Sequence, residues 1–315
     1  MLRYVAARLA AMVLVMLLVS ACVFVLMRVL PGDPVVAMVG MMDVSASTLA
    51  GMRHSLGLDR PLPVQFVVWL GNVAHGNLGV SIRSREPVTG VLLSHVPVTL
   101  ELAALSLAVA VMVAIPFAML AVRHHGRWLD RMLTAGSLVG VSFPGFVLAL
   151  GLIYLMSLRL RWLPPTGYVS PVDDLADNLK LMIMPTLTLG LTSAGLLTRL
   201  LRGQLLEEIS HGYVRTARAK GATERAIMVS HVLRNALVPF TTVLGNEAGV
   251  LLSGAVITET IFALPGVGRL AVENVLNRDL PVIQGVVLWS ALLYLSINLA
   301  VDLIYGVLDP RVRYG

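Results

Sequence analysis

Cysteine and lysine are nearly missing from this chain. Cys22 is the single thiol, and Lys180 and Lys220 are the two lysines. One cysteine excludes a disulfide-stapled scaffold. Charge is scarce as well: 13% of the 315 residues are Asp, Glu, Lys or Arg, against about 25% in a soluble domain. With 57% hydrophobic residues and a mean hydropathy of +0.83, too little polar surface remains to cover a soluble core. An ordinary cytoplasmic enzyme and a disordered chain are both excluded. No G-x-x-x-x-G-K-[ST] sequence occurs, and neither lysine follows a glycine-rich loop, so the chain has no P-loop with which to hydrolyse ATP. No H-E-x-x-H occurs. The histidines, at 54, 75, 95, 124, 125, 211 and 231, fall in loops or at the ends of apolar runs. The adjacent His124 and His125 do not share a helix face. Neither a metal site nor a cofactor of the chain's own is expected. The net charge of +6 does not call for nucleic acid, because basic residues in a membrane protein are first of all orientation signals.

What the chain does have is long uncharged runs. A helix crosses the bilayer core with about 20 apolar residues. Charge-free stretches cover 9–27, 102–122, 132–158, 181–198 and 280–301, which predicts five spans. A sixth candidate, 235–262, is as apolar but holds Glu247 near its middle. Parity decides for it. Arg3 and Arg8 place the N-terminus inside. The segments 123–131 (Arg123, Arg127, Arg131) and 199–234 (Arg199, Arg202, Arg215, Arg218, Lys220, Arg225, Arg234) are basic and inner too. The tail, with Arg311 and Arg313, is inner only if 235–262 crosses. The inner segments then hold 14 Lys/Arg and five acids (Asp130, Glu207, Glu208, Glu224, Asp309), while nine acids lie outside. The expected fold is an all-α polytopic membrane protein with six transmembrane helices and both termini inside. It forms a single domain over 1–315, with the first span in 1–30, a long outer loop over 31–95, and five further spans over 96–310. Within the outer loop, 64–75 reads as a short helix behind Pro61 and Pro63.

Two short patterns imitate other chemistry. Val19-Ser20-Ala21-Cys22 follows a basic start and an apolar run, as in a lipoprotein signal. The apolar run continues through Met27, which favours a plain first span containing a buried thiol. Gly140-Val141-Ser142-Phe143-Pro144 is a near miss to a G-x-S-x-G nucleophile elbow. Pro144 replaces the last glycine and no histidine sits in mid-span to act as base. Gly and Pro are ordinary in membrane helices, where they permit kinks and close packing.

Between the fourth and fifth spans, residues 213–239 read YVRTARAKGATERAIMVSHVLRNALVP. The stretch is too polar to span and too orderly for a linker, because Ala, Arg, Lys and Glu favour helix. Val214, Ala217 and Gly221 fall on one stripe, with Arg215, Arg218 and Lys220 beside it. Gly221 can stop this helix. Thr223 can cap a second over 224–235, with Ile227, His231 and Arg234 along one side. Two short helices at a bend can lie on lipid headgroups or dock into a groove on another protein.

Here the sequence resembles a known family. Tyr213-Val214-Arg215-Thr216-Ala217-Arg218-Ala219-Lys220-Gly221 is similar to the cytoplasmic motif of ABC importer permeases. The form is that of B-type subunits of the dipeptide/oligopeptide (peptide/nickel) transport family. Other phrases agree along nearly the whole chain: Leu30-Pro31-Gly32-Asp33-Pro34, Leu56-Gly57-Leu58-Asp59-Arg60-Pro61, Gly76-Asn77-Leu78-Gly79-Val80-Ser81, Trp162-Leu163-Pro164-Pro165-Thr166-Gly167-Tyr168, His231-Val232-Leu233-Arg234-Asn235-Ala236-Leu237-Val238-Pro239, and Glu259-Thr260-Ile261-Phe262-Ala263-Leu264-Pro265-Gly266-Val267-Gly268. Arg215 and Thr216 depart from the Glu and first Ala of the wider Glu-Ala-Ala-x3-Gly motif, a departure common in the peptide family, and Asn77 replaces the commoner Asp. The resemblance implies a non-catalytic permease half in a bacterial inner membrane, with a coupling-helix pair within 207–234. It implies ATP and Mg on two separate ATP-binding subunits, a second homologous permease chain, membrane lipid around the bundle, and an external solute-binding protein that delivers peptides or similar small solutes. The cytoplasmic pair (Tyr213, Val214, Arg215, Thr216, Ala217, Arg218, Lys220 and Gly221) would couple the pore to ATP hydrolysis.

Glu247 is the costliest residue in the sequence, on the order of 2.5–3.5 kcal/mol at mid-span on insertion scales. It must face the bundle interior, water or a partner. It reads either as a pore or gate residue near the amino terminus of a passing peptide, or as a protonated or hydrogen-bonded contact between helices or subunits that involves neighbouring Asn246. Small residues on the same span, Gly245, Ala248, Gly249, Ser253 and Gly254, would let a partner chain approach closely. Glu101 and Asp302 lie nearer span ends, and Glu259 is expected at the outer surface. A proton-coupled secondary transporter using Glu247, Glu101 or Asp302 is the competing function. It predicts activity without ATPase partners.

Overall fold

In a computed structural model of the chain, residues 2–29, 45–55 and 59–308 are described, and among them every extended element is a helix. The phrase at 30–34, residues 56–58, and the tail with Asp309, Arg311 and Arg313 lie outside the described residues. In chain order the helices are α1 Leu2–Val29, α2 Ala46–Ser55, α3 Leu62–Ala74, α4 Val88–Arg123, α5 Trp128–Ser142 and α6 Gly145–Leu152, which runs on as a π-helical turn, Ile153–Arg159. They continue with α7 Leu175–Ser210, α8 Gly212–Ala219, α9 Glu224–Ala226, a second π-helical turn Ile227–Leu233, α10 Arg234–Ile261, α11 Val267–Asn277 and α12 Leu280–Leu308. Five helical stretches are long and apolar enough to cross a membrane, and the bent pair α5/α6 is a sixth when its two arms are counted as one broken span. The predicted short helix at 64–75 is α3, entered through Pro61 with proline in its first turn.

The uncharged run 132–158 is not one straight span. α5 and α6 meet at 97°. Pro144 disfavours helical backbone at the residue before it, and Phe143 and Pro144 are both extended (ψ 123° and 128°). α4 and α7 have 36 residues each. At 1.5 Å per residue each is about 54 Å long, well beyond the ~30 Å hydrocarbon core. Their ends therefore stand outside the apolar layer.

α7 is the axis of the bundle. A Cβ at Gly190 would lie 2.8 Å from the Val109 side chain of α4, and one at Gly195 would lie 2.7 Å from the Ser137 carbonyl oxygen of α5. Glycine at both positions is what lets the backbones come together, as membrane helices do when no hydrophobic drive separates them from lipid. Gly245 and Gly249 serve a contact inside the chain. Added methyls there would strike Val301 and Tyr294 of α12. The expected use of these glycines against a partner chain is thus corrected: they seat α10 on α12. The Ser253 side chain and the surroundings of Gly254 are not among the described features.

Cys22 is exposed on α1, not buried, and the helix runs through it without a break to Val29. Near the same end of α1, Phe24, Phe66 and Trp69 form an aromatic cluster that joins α3 to the bundle. The Arg28 guanidinium lies 4.9 Å from the centre of the Phe24 ring.

Candidate coupling segment and mid-bundle groove

At the basic end of the bundle, α8 lies on an apolar floor. Val214 is fully buried and Ala217 packs beside it, in a cluster with Val122, Leu201, Leu205, Ile227 and Val232. The predicted stripe is correct for these two residues. Tyr213, Arg215, Thr216, Arg218 and Lys220 are exposed on the other faces. Tyr213 donates to the Glu208 carboxylate at 2.6 Å, and the partial loss of water around its hydroxyl, with that carboxylate beside it, pushes the phenol's pKa up. Gly221 has φ +82°, a left-handed turn that glycine adopts without strain. Thr223 Oγ1 accepts from the Ala226 amide at 3.3 Å, which caps the next helix as expected. Arg218 bridges this turn with two hydrogen bonds to Glu224.

The second helix of the pair does not stop at 235. It runs through the π turn into α10, so the segment is continuous with a membrane-crossing helix. The π turn also breaks the predicted face. Ile227 is buried, but His231 and Arg234 are exposed, and the buried register continues at Val232, Ala236 and Phe240. One extra residue per turn shifts the face, which a 3.6-residue reading cannot anticipate.

At the same end of the bundle, Asp130 at the start of α5 is 4% exposed. Arg202 donates to it from Nε (2.7 Å) and Nη2 (2.8 Å), and the Gly126 amide adds a third bond at 3.0 Å. His125 Nδ1 lies 3.1 Å away. A two-pronged arginine bond of this kind is strong and directional. It ties the 124–127 turn to α7. Sequence reasoning counted Asp130 as a loop charge, because its partner is far away in the chain.

At the opposite end, Glu259 corrects an expectation. It is wholly buried. Thr99 Oγ1 donates to its Oε1 at 2.7 Å and the Arg269 amide to its Oε2 at 2.9 Å, while the Val267 amide donates to Thr99 Oγ1 at 2.9 Å. A methyl on Gly266 or Gly268 would run into the carboxylate. The carboxylate thus anchors the start of α11. Asp279 is buried in a similar way, accepting from Ser81 Oγ (2.6 Å) and from the amides of Ile82 (3.2 Å) and Arg83 (3.1 Å). Glu101 accepts from Tyr168 at 2.8 Å, and Asp302 pairs with Arg8 at 3.1 Å.

Midway between the two ends, Glu247 lies in a groove of about 430 Å³ between α5, α7 and α10. Gly140, Thr192, Ser193 and the exposed Asn246 share its lining. Glu247 is 7% exposed. Unlike Asp130, Glu259 and Asp279, it has no hydrogen-bond or ion-pair partner among the described residues. An apolar cleft of about 530 Å³ opens next to it at the α5/α6 bend, lined by Phe117, Leu133, Phe143 and Leu191 among others.

A bundle of membrane-crossing helices with a carboxylate-bearing groove in its middle and a basic helix laid across one end has the architecture of a membrane transport subunit. The comparisons name the family. The family model described as "Binding-protein-dependent transport system inner membrane component" matches residues 110–314. A companion model for the N-terminal part of such components matches 1–103. The chain belongs to this family: it is a multi-pass inner-membrane permease of the ABC importer class, which works with ATPase and binding-protein partners. It is 40% identical to a probable peptide ABC transporter permease of Sinorhizobium fredii over 99% of both chains. It is 41% identical to a putative peptide transport system permease of Brucella abortus over 98% of both. It is 38% identical to the glutathione transport system permease protein of Escherichia coli over the full length of both. In fold it resembles the MetNI methionine ABC transporter in an inward-facing conformation, with a TM-score of 0.58 and 20% identity over 70% of this chain and 96% of that one.

Proposed function

We propose that this chain forms one half of the path by which peptides, or small peptide-like solutes such as glutathione, enter the cell. The full-length likeness to peptide and glutathione permeases supports the cargo class. The second half comes from a homologous permease chain. Two ATP-binding subunits hold ATP and Mg, and an external binding protein delivers the solute. The chain itself is non-catalytic. The density of Arg and Lys at the α8 end supports placing that end, and both termini, in the cytoplasm.

The observation that carries the mechanism is α8. Its Val214 and Ala217 are sunk in the bundle, while Tyr213, Arg215, Thr216, Arg218 and Lys220 are offered outward. A short helix held this way transmits a push. Force applied by an ATPase subunit passes through the Gly221 turn into α10, which is continuous with the segment and carries Asn246 and Glu247. The proposal is tested in vesicles holding both permease chains and the ATPases, with the binding protein outside. ATP inside the vesicles should drive uptake of labelled trialanine or glutathione. A cysteine at Arg215 should cross-link to an ATPase subunit. Uptake that follows a proton gradient without ATP would instead establish the secondary transporter. Two of that mechanism's three candidate carboxylates, Glu101 and Asp302, already have partners.

A further inference from the structure

Four acidic residues are buried among the described residues: Asp130, Glu247, Glu259 and Asp279. Three are saturated by donors from the chain itself. Glu247 is not, although it lies in the middle of a crossing helix, where a lone charge is hardest to keep. Its groove contains no Lys, Arg or His among its lining residues. At about 430 Å³ the space falls in the range of small-ligand sites, ~300–1,000 Å³. Its polar groups suit an N–H-rich guest. Thr192, on the groove wall, already spends its hydroxyl proton on the carbonyls of Thr188 and Leu189, which leaves its Oγ1 only acceptor capacity. Ser193 and Asn246 each add an acceptor oxygen, together with a donor of their own.

We propose that Glu247 is the counter-ion for a cationic amino group of the transported solute, the α-ammonium of a peptide, which occupies this groove during passage. The inference rests on the peptide reading above and adds the chemical group that the path selects. A buried carboxylate that has no partner among the described residues and is paired by the cargo favours entry of that cargo over neutral or anionic solutes. It also holds the cargo through one strong contact, which the next change of conformation can release. A proton on Glu247, or a basic group of the second permease chain, would neutralise the same charge. Both are outcomes of the test.

The test compares wild type, Glu247→Gln and Glu247→Asp in the complete importer. Two quantities are measured: ATP-driven uptake of trialanine in vesicles, and the melting temperature of the cargo-free membrane complex. Glu247→Gln should lower uptake at least tenfold, Glu247→Asp should stay within threefold of wild type, and melting should be unchanged in both. Gln at wild-type rate would show that the group works neutral. Gln and Asp falling alike would show that shape matters and charge does not. A lowered melting temperature in Gln would assign the charge to a contact between subunits. Each of these results overturns the inference and leaves the peptide reading standing. Wild-type vesicles that take up neither trialanine nor glutathione overturn both.

Discussion

Glu247 and Glu259 sit on the same helix, both buried, and have opposite surroundings. Glu259 receives a hydroxyl and a backbone amide, and two glycines make room for its carboxylate. Glu247 receives nothing from the described residues and borders an open groove. A carboxylate that is fully hydrogen-bonded at a loop is part of the scaffold. One left unmatched at mid-membrane must be matched by something that comes and goes, or by another chain. The far end of α10 is thus built to hold still, and its middle is built to receive.

The largest effect that would break this comparison is at Glu259. Leucine there leaves the Arg269 amide and the Thr99 hydroxyl without an acceptor, at about 1–3 kcal/mol each, and the melting temperature of the complex should fall sharply. The isosteric change sharpens the contrast. The Arg269 amide can only donate, and the Thr99 hydroxyl, which already accepts from Val267, must turn its own proton away to receive a second donor. Glutamine would turn an NH2 group toward one of them. Glu259→Gln should therefore cost about 1–3 kcal/mol, whereas Glu247→Gln should leave melting unchanged. Equal losses at the two sites would remove the distinction between them.

Next in size is Asp130→Asn, which strands the half-buried Arg202 charge and should destabilise the complex by about 3 kcal/mol. Replacing the two together, Asp130→Leu with Arg202→Met, should recover most of that loss, since a buried ion pair exchanged for apolar packing is often neutral. If the double variant melts as low as Asp130→Asn, the pair is needed for more than mutual neutralisation.

The spans were legible because lipid demands long uncharged runs, and the coupling segment because a basic, helix-forming stretch stands out between them. Four features stayed hidden. Pro144 was visible, but a charge-free run of 27 residues reads as one helix unless the restriction on Phe143 is weighed against it. The fate of Glu259 depended on Thr99, on another helix, and on amides beyond its own helix end, which no local pattern announces. The π turn at Ile227–Leu233 moved the buried face off His231 and Arg234. Gly245 and Gly249 were correctly read as a close-packing stripe, but sequence cannot say which helix does the approaching.

Smaller effects are expected at the basic end, where the surface faces water and the role is contact. Gly221→Val forces a β-branched residue into φ +82°. That costs about 1–2 kcal/mol at a site with open space around it. The complex should still assemble while uptake per ATP hydrolysed falls, and unchanged coupling would show that the turn transmits nothing.

The smallest structural effect belongs to Arg218 and Glu224, which bridge the same turn. The pair is exposed and each partner shifts the other's pKa toward its charged form, Arg218 up and Glu224 down, chiefly through their hydrogen bonds. Exposed pairs contribute little to stability because water and salt screen them. Exchanging the two, Arg218→Glu with Glu224→Arg, keeps the bridge and reverses the charge that α8 offers outward. Melting of the complex should not move. ATP-driven uptake should drop if an ATPase subunit reads the charge on α8, and restoring Arg218 alone should recover most of it even though the bridge is then lost. If uptake instead follows the presence of the bridge, recovering in the exchanged protein and falling in each single variant, then the pair matters for the shape of the turn and the ATPase contact lies on Tyr213, Arg215 and Thr216.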